Sequence, residues 1–254
     1  MPAPDPVSRE RGSPGAPYPA PATRFPASAG IAFARCPFCG PTVLVRWADD
    51  ELAVRCLRCR ASAVHLSLGA VLRELRPDLR GRRVLELSSR GPLVRYLRGS
   101  GARLTLTERF DDVPPGSLRG GVRCEDVQRL SFADASFDLV THTDVFEHVE
   151  DDAVGFRELR RVLVPGGLTV FSVPLSAAPT RERVRRGPDG LQYLLPPEYH
   201  GDRLRGAGRV LSWRDYGGDI VVRLQQAGFG DARLVPAPPV AWFGRGRMIV
   251  VATP

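Results

Sequence analysis

Cys124–Pro174 reads CEDVQRLSFADASFDLVTHTDVFEHVEDDAVGFRELRRVLVPGGLTVFSVP. Phe137–Thr143 (FDLVTHT) is a short apolar strand, and the segment DDAVGFRELRRVL at 151–163 is a helix. Pro165-Gly166-Gly167 turns the chain into a second strand, LTVFSVP, at 168–174. The same alternation extends outward. RRVLEL (82–87) and RLTLTE (103–108) are strands around the helix GPLVRYLRGSG (91–101). Downstream, RDYGGDIVVRLQQAG (214–228) is a helix, and ARLVPA (232–237) and GRMIVVAT (246–253) are strands. Strand–helix alternation of this kind predicts an α/β fold with a parallel, doubly wound sheet. No internal repeat is present.

In such a sheet, ligands sit beyond the carboxyl ends of the strands. Glu86 ends the first strand and Glu108 the second, and Asp126 lies just past the third. A carboxylate at such a position can accept from two hydroxyls at once. For each acid taken alone, a solvated loop charge is the competing reading.

Cys36-Pro-Phe-Cys39 and Cys56-Leu-Arg-Cys59 form two C-x-x-C pairs with 16 residues between them. This is the spacing of a four-cysteine zinc site, because each knuckle brings two thiolates to one tetrahedral ion. Such sites are usually closed and structural. Thr42–Trp47 and Leu52–Arg55 are the expected strands of this zinc ribbon. A disulfide pair is the alternative. Cys124 stands alone and reads as a core residue.

These features divide the chain into a disordered Pro/Ala-rich tail at 1–30, a ribbon at 31–62, a linking helix at 63–80 and the α/β domain at 81–254. In the linking helix Val64, Leu68, Val71 and Leu72 recur at helical spacing, with Leu75 after them, and Pro77 closes it. His65 lies in this helix with no role expected of it. The net charge is +8, but no stretch is a basic block, and the chain has neither Lys nor Asn. That bias fits Arg codon usage, and it gives nucleic-acid binding little support. No run approaches the length of a membrane span, and no signal peptide is evident, so a cytoplasmic location is the expectation.

The 124–174 string resembles the class I S-adenosylmethionine (SAM)-dependent methyltransferases, in particular the broad bacterial type 11 group acting on small molecules. Weaker signals extend the resemblance over 81–254. It implies a Rossmann-like seven-stranded sheet with helices on both faces, and SAM as cofactor. In the family, the positions of Glu86, Glu108 and Asp126 hold the methionyl or loop region, the ribose hydroxyls and the adenine amine. The backbone N–H of Val127 would face an adenine ring nitrogen, and Thr141, His142 and Thr143, at the carboxyl end of the fourth strand, would face the methyl donor. Asp138 would anchor the start of the fourth strand. The first loop departs from the family, whose glycines allow close backbone approach. Here it reads Glu86-Leu-Ser-Ser-Arg-Gly-Pro92, and only Gly91 clearly matches. Ser88 and Ser89 are small enough to stand in, and their hydroxyls can replace backbone contacts. A subgroup resembles this chain in ELSSRGPLVRYL, CEDVQ and PPEYHGD together.

Methyl transfer needs an aligned nucleophile, and an oxygen acceptor also needs a base. His142, His148 and His200 are the candidates, since histidine titrates near neutral pH. A hydrogen-bonded structural histidine is the alternative for each. Asp144-Val-Phe-Glu147-His148 also resembles the acid-x-x-Glu-His segment of ubiquinone-pathway O-methyltransferases, which is associated with a divalent ion. Glu-His occurs in relatives without metal too. Residues 175–215, with Pro196-Pro-Glu-Tyr-His-Gly-Asp202, read as a substrate lid or as a surface loop held by prolines. The expected reaction is O- or N-methylation of a small molecule or saccharide. Two alternatives stand beside it: an RNA methyltransferase using the ribbon for recognition, and a non-catalytic protein binding a partner through the ribbon.

Overall fold

The computed structural model describes residues 30–48, 53–202, 204, 208–238 and 247–254. The tail expected at 1–30 lies outside the described residues apart from Gly30, and so does Leu52 of an expected strand.

Three antiparallel strands come first: β1 (Gly30–Cys36), β2 (Gly40–Arg46) and β3 (Val54–Cys56). Strand β1 was not among the strands expected of the ribbon, and its outward-facing Ile31 and Phe33 are exposed. Helix α1 (Ala63–Leu75) comes next, with Val64, Leu68, Val71 and Leu72 buried. It stops short of Pro77, whose ring disfavours helical backbone in the residue before it. Gly69 is the notch where the three-stranded sheet docks on α1. A Cβ there would lie 2.4 Å from the ring of Phe38.

The main sheet is built from β4 (Arg83–Glu86), helix α2 (Pro92–Gly99), β5 (Arg103–Glu108), β6 (Leu118–Arg119), β7 (Val122–Cys124) and β8 (Phe137–Thr143). A single 3₁₀ turn at Phe146–His148 leads to helix α3 (Asp152–Val162) and β9 (Leu163–Ser172). Six short strands occupy the next segment: β10 (Arg181–Glu182), β11 (Val184–Gly187), β12 (Gly190–Tyr193), β13 (Tyr199–Gly201), β14 (Arg209–Leu211) and β15 (Arg214–Asp215). Helix α4 (Ile220–Gln226), β16 (Asp231–Pro236) and β17 (Met248–Thr253) complete the chain.

Among the described residues the strand order is β16-β17-β9-β8-β4-β5-β7-β6. β9, β8, β4, β5 and β7 run parallel. β17 lies antiparallel to both of its neighbours, and β6 is a short antiparallel addition at the far edge. Adjacent residues on each strand explain the layering. Val84, Leu139, Val170 and Val251 pack with α1 and α2, while Leu85, Val140, Phe171 and Val250 pack with α3 and α4. Strands covered on both faces must be apolar at nearly every position.

Two local differences have physical causes. Phe137 pairs with Leu163 but Leu139 with Leu168, so Val164–Gly167 loops out of the ladder at the Pro-Gly-Gly turn. The helix expected at 214–228 is confined to Ile220–Gln226. Its first residues are used otherwise: Arg214 and Asp215 form β15, and Tyr216 is buried with its hydroxyl donating to Asp152 at 2.8 Å.

Arg214 fastens the 175–215 segment to the core. Its guanidinium is almost fully buried and donates to the carbonyls of Val149 (2.5 Å) and Glu150 (2.6 Å), with Glu182 at 3.3 Å. Its removal leaves buried carbonyls unpaired, so Arg214→Met is expected to lower unfolding free energy by about 3 kcal/mol. Urea unfolding measures this; a loss below roughly 1 kcal/mol, the range of an exposed pair, would show the clasp to be incidental.

Candidate functional site

The chain builds β4, β5 and β7 in one direction across the sheet and then returns to place β8 on the other side of β4. A crevice opens at the carboxyl ends of strands where the order reverses in this way. Glu86 closes β4 there. It is 1% exposed, and Thr141 of the neighbouring β8 donates to its Oε2 at 2.5 Å. Burial pushes its carboxyl up to about 8; the Thr141 hydrogen bond opposes this and nearby Glu108 adds to it. Thr141, expected to face the methyl donor, has its hydroxyl committed to Glu86.

The loop after β4 is organised by Ser89 rather than Ser88. The Ser89 backbone N–H and hydroxyl both donate to Glu108 Oε1 at 2.8 Å. Ser88 donates to the carbonyl of Arg90 within the loop. Oε2 of Glu108 has no hydrogen-bond partner among the described residues, which leaves the carboxylate one free edge. Burial holds the Glu108 carboxyl above its ordinary value, with the Ser89 bonds opposing. Gly91 precedes α2 with φ of 104°, a backbone that side-chain-bearing residues rarely adopt. A Cβ at Gly91 would meet only His65 Nε2, at 3.9 Å. His65 of α1 therefore faces this loop. Its Nδ1 pairs with Ser62 Oγ at 2.8 Å, and burial lowers its pKa to about 4. Helical periodicity could show that His65 lay beside a buried stripe, not what it faced.

Asp126 lies at the edge of an open cleft of about 510 Å³, which Arg109, Phe110, Val113, Pro114 and Arg129 also line. Its Oδ1 accepts from Gln128 N at 2.9 Å, and Arg109 stands 3.6 Å from Oδ2. The Val127 side chain is buried in the core, so only its backbone could serve a ligand.

Thr143 ends β8, and Asp144 after it has a φ of 51°, an uncommon conformation for a residue with a side chain. Asp144 Oδ1 accepts from Ser172 (2.9 Å) and Arg247 (2.6 Å), tying β8, β9 and the start of β17 together. His142 does not join this group. It is fully buried, stacked between Phe171 (4.3 Å) and Phe146 (5.0 Å), and burial lowers its pKa to about 3. Neither ring nitrogen has a partner among the described residues. The reading of His142 as a catalytic base is withdrawn, because period-two alternation turns it into the core, away from the face of Thr141. Asp138 at the other end of β8 receives Arg83 N at 2.8 Å, where an anchoring role was expected.

His148 and His200 come together. His148 Nε2 lies 3.1 Å from His200 Nδ1, and buried Glu147 is beside both. Burial lowers the His148 pKa to about 4 and holds the Glu147 carboxyl well above its usual range. Arg90 and Asp202 are 3.9 Å apart, so the middle of the 175–215 segment lies beside the Ser89 loop.

The four cysteines of the N-terminal sheet converge with all Sγ atoms within 4.8 Å of one another. Cys36 and Cys59 are 3.6 Å apart, and Cys39 and Cys56 3.5 Å. A disulfide needs about 2.05 Å. Four sulfurs each about 2.3 Å from one ion stand roughly 3.8 Å apart, so the donor set fits tetrahedral zinc. Backbone N–H groups of Phe38 and Cys59 point at Cys36 and Cys56 Sγ. Cys124 is buried against the carbonyls of Phe110 and Val113, a core residue as expected.

Sheet order, reversed β17 and site position define the Rossmann-like α/β fold of the methyltransferases. Residues 80–171 match the family described as a methyltransferase domain. A demethylmenaquinone methyltransferase of Mycolicibacterium vanbaalenii is 32% identical over 125 residues, 42% of this chain and 49% of that protein. A 2-methyl-6-phytyl-1,4-hydroquinone methyltransferase of Synechocystis is 36% identical over 65 residues, 26% of this chain and 20% of that protein. The chain thus spans half or less of the length of these curated relatives. A solved SAM-dependent methyltransferase from Mesorhizobium loti is similar at 22% identity and a TM-score of 0.48, covering 74% of this chain and 98% of that one.

The raised pKa of Glu86 gives a pH prediction. Between its ordinary value of 4.5 and about 8 the folded chain holds this proton and the unfolded chain releases it, so its contribution to stability falls as pH rises through that window. Melting temperatures of wild type minus those of Glu86→Gln should therefore decline from pH 4.5 to 8. A difference that stays level across the window would contradict the raised value.

Proposed function

We propose that this protein is a SAM-dependent methyltransferase acting on a small-molecule acceptor, with a structural zinc ion in its N-terminal ribbon. The observation that carries the reading is Glu108. Its carboxylate stands at the end of β5, one edge held by Ser89 and the other free for a pair of vicinal hydroxyls. The Gly91 backbone and the Asp126 cleft flank it on the two sides where the rest of a nucleoside and its amino-acid tail would extend. In this reading Glu86 and Gly91 adjoin the methionyl part, Asp126 and the Val127 N–H the adenine, and Thr143 the sulfonium side. Ser88 supports the loop rather than the ligand. SAM supplies an activated methyl when bound; the chain orients it and excludes water.

The 175–215 segment is the lid over the acceptor side, held by Arg214 and by the Arg90–Asp202 pair. His148 and His200 lie on the lid side, and any part they play toward an acceptor runs through the point on which their facing ring nitrogens converge. The curated relatives are named for hydroquinone and demethylmenaquinone substrates, which favours a small organic acceptor over a nucleic acid. A saccharide, and O- or N-methylation, remain within the proposal.

Calorimetric titration with SAM should show one site per chain, and Glu108→Ala should weaken it by at least tenfold while the fold persists by circular dichroism. Absence of SAM binding in the zinc-replete wild type, or unchanged affinity in the variant, would sink the assignment. Replacing Cys36 and Cys39 by Ser together should remove one zinc per chain, measured by elemental analysis. Retention of that zinc would refute the four-cysteine site.

A further inference from the structure

Glu147, His148 and His200 meet in a way that the hydrogen bonds inside the protein do not complete. Glu147 lies in the 3₁₀ turn after β8 and is 2% exposed. Neither of its carboxyl oxygens has a hydrogen-bond partner among the described residues. Its Oε1 is 3.8 Å from His148 Nε2 and 3.9 Å from His200 Nδ1, too far for hydrogen bonds. Protonating the carboxyl does not pair it with the two imidazoles, whose facing nitrogens stand 3.8 and 3.9 Å away, and an unpaired O–H is itself costly to bury.

The tautomers sharpen the problem. His148 Nδ1 lies 2.9 Å from the carbonyl of Leu211, an acceptor, so that nitrogen carries the proton and Nε2 presents a lone pair. His200 Nε2 lies 3.1 Å from a carboxylate oxygen of Glu198, so it too carries the proton and Nδ1 presents a lone pair. Those two lone pairs face each other at 3.1 Å, with the unpaired carboxylate alongside. Three donor atoms thus converge on a point that asks for positive charge. A point equidistant from the three lies roughly 2.1 Å from each, which is the length of a zinc–nitrogen or zinc–oxygen bond.

We infer that Glu147, His148 and His200 form a second metal site, for a divalent first-row transition ion bound by two imidazoles and one carboxylate. The outer contacts are those that metal-bound histidines make: each donates its other ring N–H to a carbonyl or a carboxylate, which fixes the tautomer and the ring orientation. Leu211 and Glu198 supply them. Asp144 is outside the ligand set, because Ser172 and Arg247 already hold it. Two borderline nitrogen donors and one hard oxygen select zinc, iron or manganese over magnesium or calcium. Three protein ligands leave at least one position open, unlike the closed four-cysteine ribbon. The site also joins two parts of the chain, because Glu147 and His148 belong to the turn after β8 and His200 to β13 of the lid. It stands independently of the methyl donor, since none of these residues is assigned to SAM.

The test is a calorimetric titration of zinc into the full chain whose ribbon already carries one zinc. One further site per chain is expected. Glu147→Gln and His200→Ala should each weaken it by at least tenfold, and Glu198→Gln by roughly tenfold, the usual cost of an outer partner. Thermal melts and retained ribbon zinc check that each variant folds. His200 and Glu198 lie on the half-exposed lid, so these two decide the question if Glu147→Gln does not fold. No uptake beyond the ribbon's zinc would overturn the proposal in favour of a shared proton between the two histidines. Uptake that none of the folded variants alters would equally overturn it, by placing the ion elsewhere.

Discussion

The side-by-side parallel pairing of β4 and β8 governs the carboxyl edge of this molecule. Helices cover both faces of these strands, so no water reaches their backbone or their inward side chains. Polar groups are therefore confined to the places where the strands run out. Glu86 and Thr141 sit at that boundary and satisfy one another across the strand pair. The next residues outward, Asp144 and Ser172, do the same between β8 and β9. The polar site is thus a consequence of the sheet: polar residues collect where the apolar layers stop, and the reversal of strand order leaves room beside them.

A second constraint acts on the backbone immediately beyond β8. The chain leaves the strand through Asp144 in a left-handed conformation and enters a single 3₁₀ turn, which leaves several carbonyls facing inward. Helix hydrogen bonds do not reach them. Arg214, at the far end of the 175–215 segment, satisfies those of Val149 and Glu150, while Trp213 N donates to the Glu147 carbonyl at 2.7 Å. The turn and this segment therefore complete one another. Because the segment is fastened at 213–216, His200 is held against Glu147 and His148 rather than left in solvent.

The layered part of the fold was legible because its signal is repeated. Adjacent apolar pairs such as Val84–Leu85 and Leu139–Val140 serve opposite faces, and the intervening helices α1, α2 and α3 lie where periodicity puts them. The four-cysteine cluster was legible from spacing alone. The failures come from residues whose type does not reveal their direction. His142 and His148 both lie near the carboxyl end of β8, yet one is stacked between Phe146 and Phe171 while the other, in the 3₁₀ turn beyond the strand, reaches His200. Residue type alone does not say which way a histidine points. Arg214 and Tyr216 share helical spacing with residues 217–228, and only tertiary demand for a buried donor draws them out of the helix. His65 was unreadable for the same reason, since what it faces is set by packing between α1 and the loop before α2.

The glycine-poor loop shows how such a departure can be consistent with its surroundings. A glycine has no side chain with which to hold a neighbouring carboxylate. Here Ser89 supplies two donors to one oxygen of Glu108, and the carboxylate is oriented before any ligand arrives. Gly91 is retained at the one position where positive φ makes a side chain costly, directly before Pro92 opens α2. The serines therefore exchange backbone freedom for preorganisation. Less ordering is left to occur on binding, and fewer backbone N–H groups remain for the ligand itself. In the proposed function that exchange would move part of the cofactor's recognition from the loop to Glu108, which makes this single side chain carry more of the affinity than a glycine-rich loop would require of it.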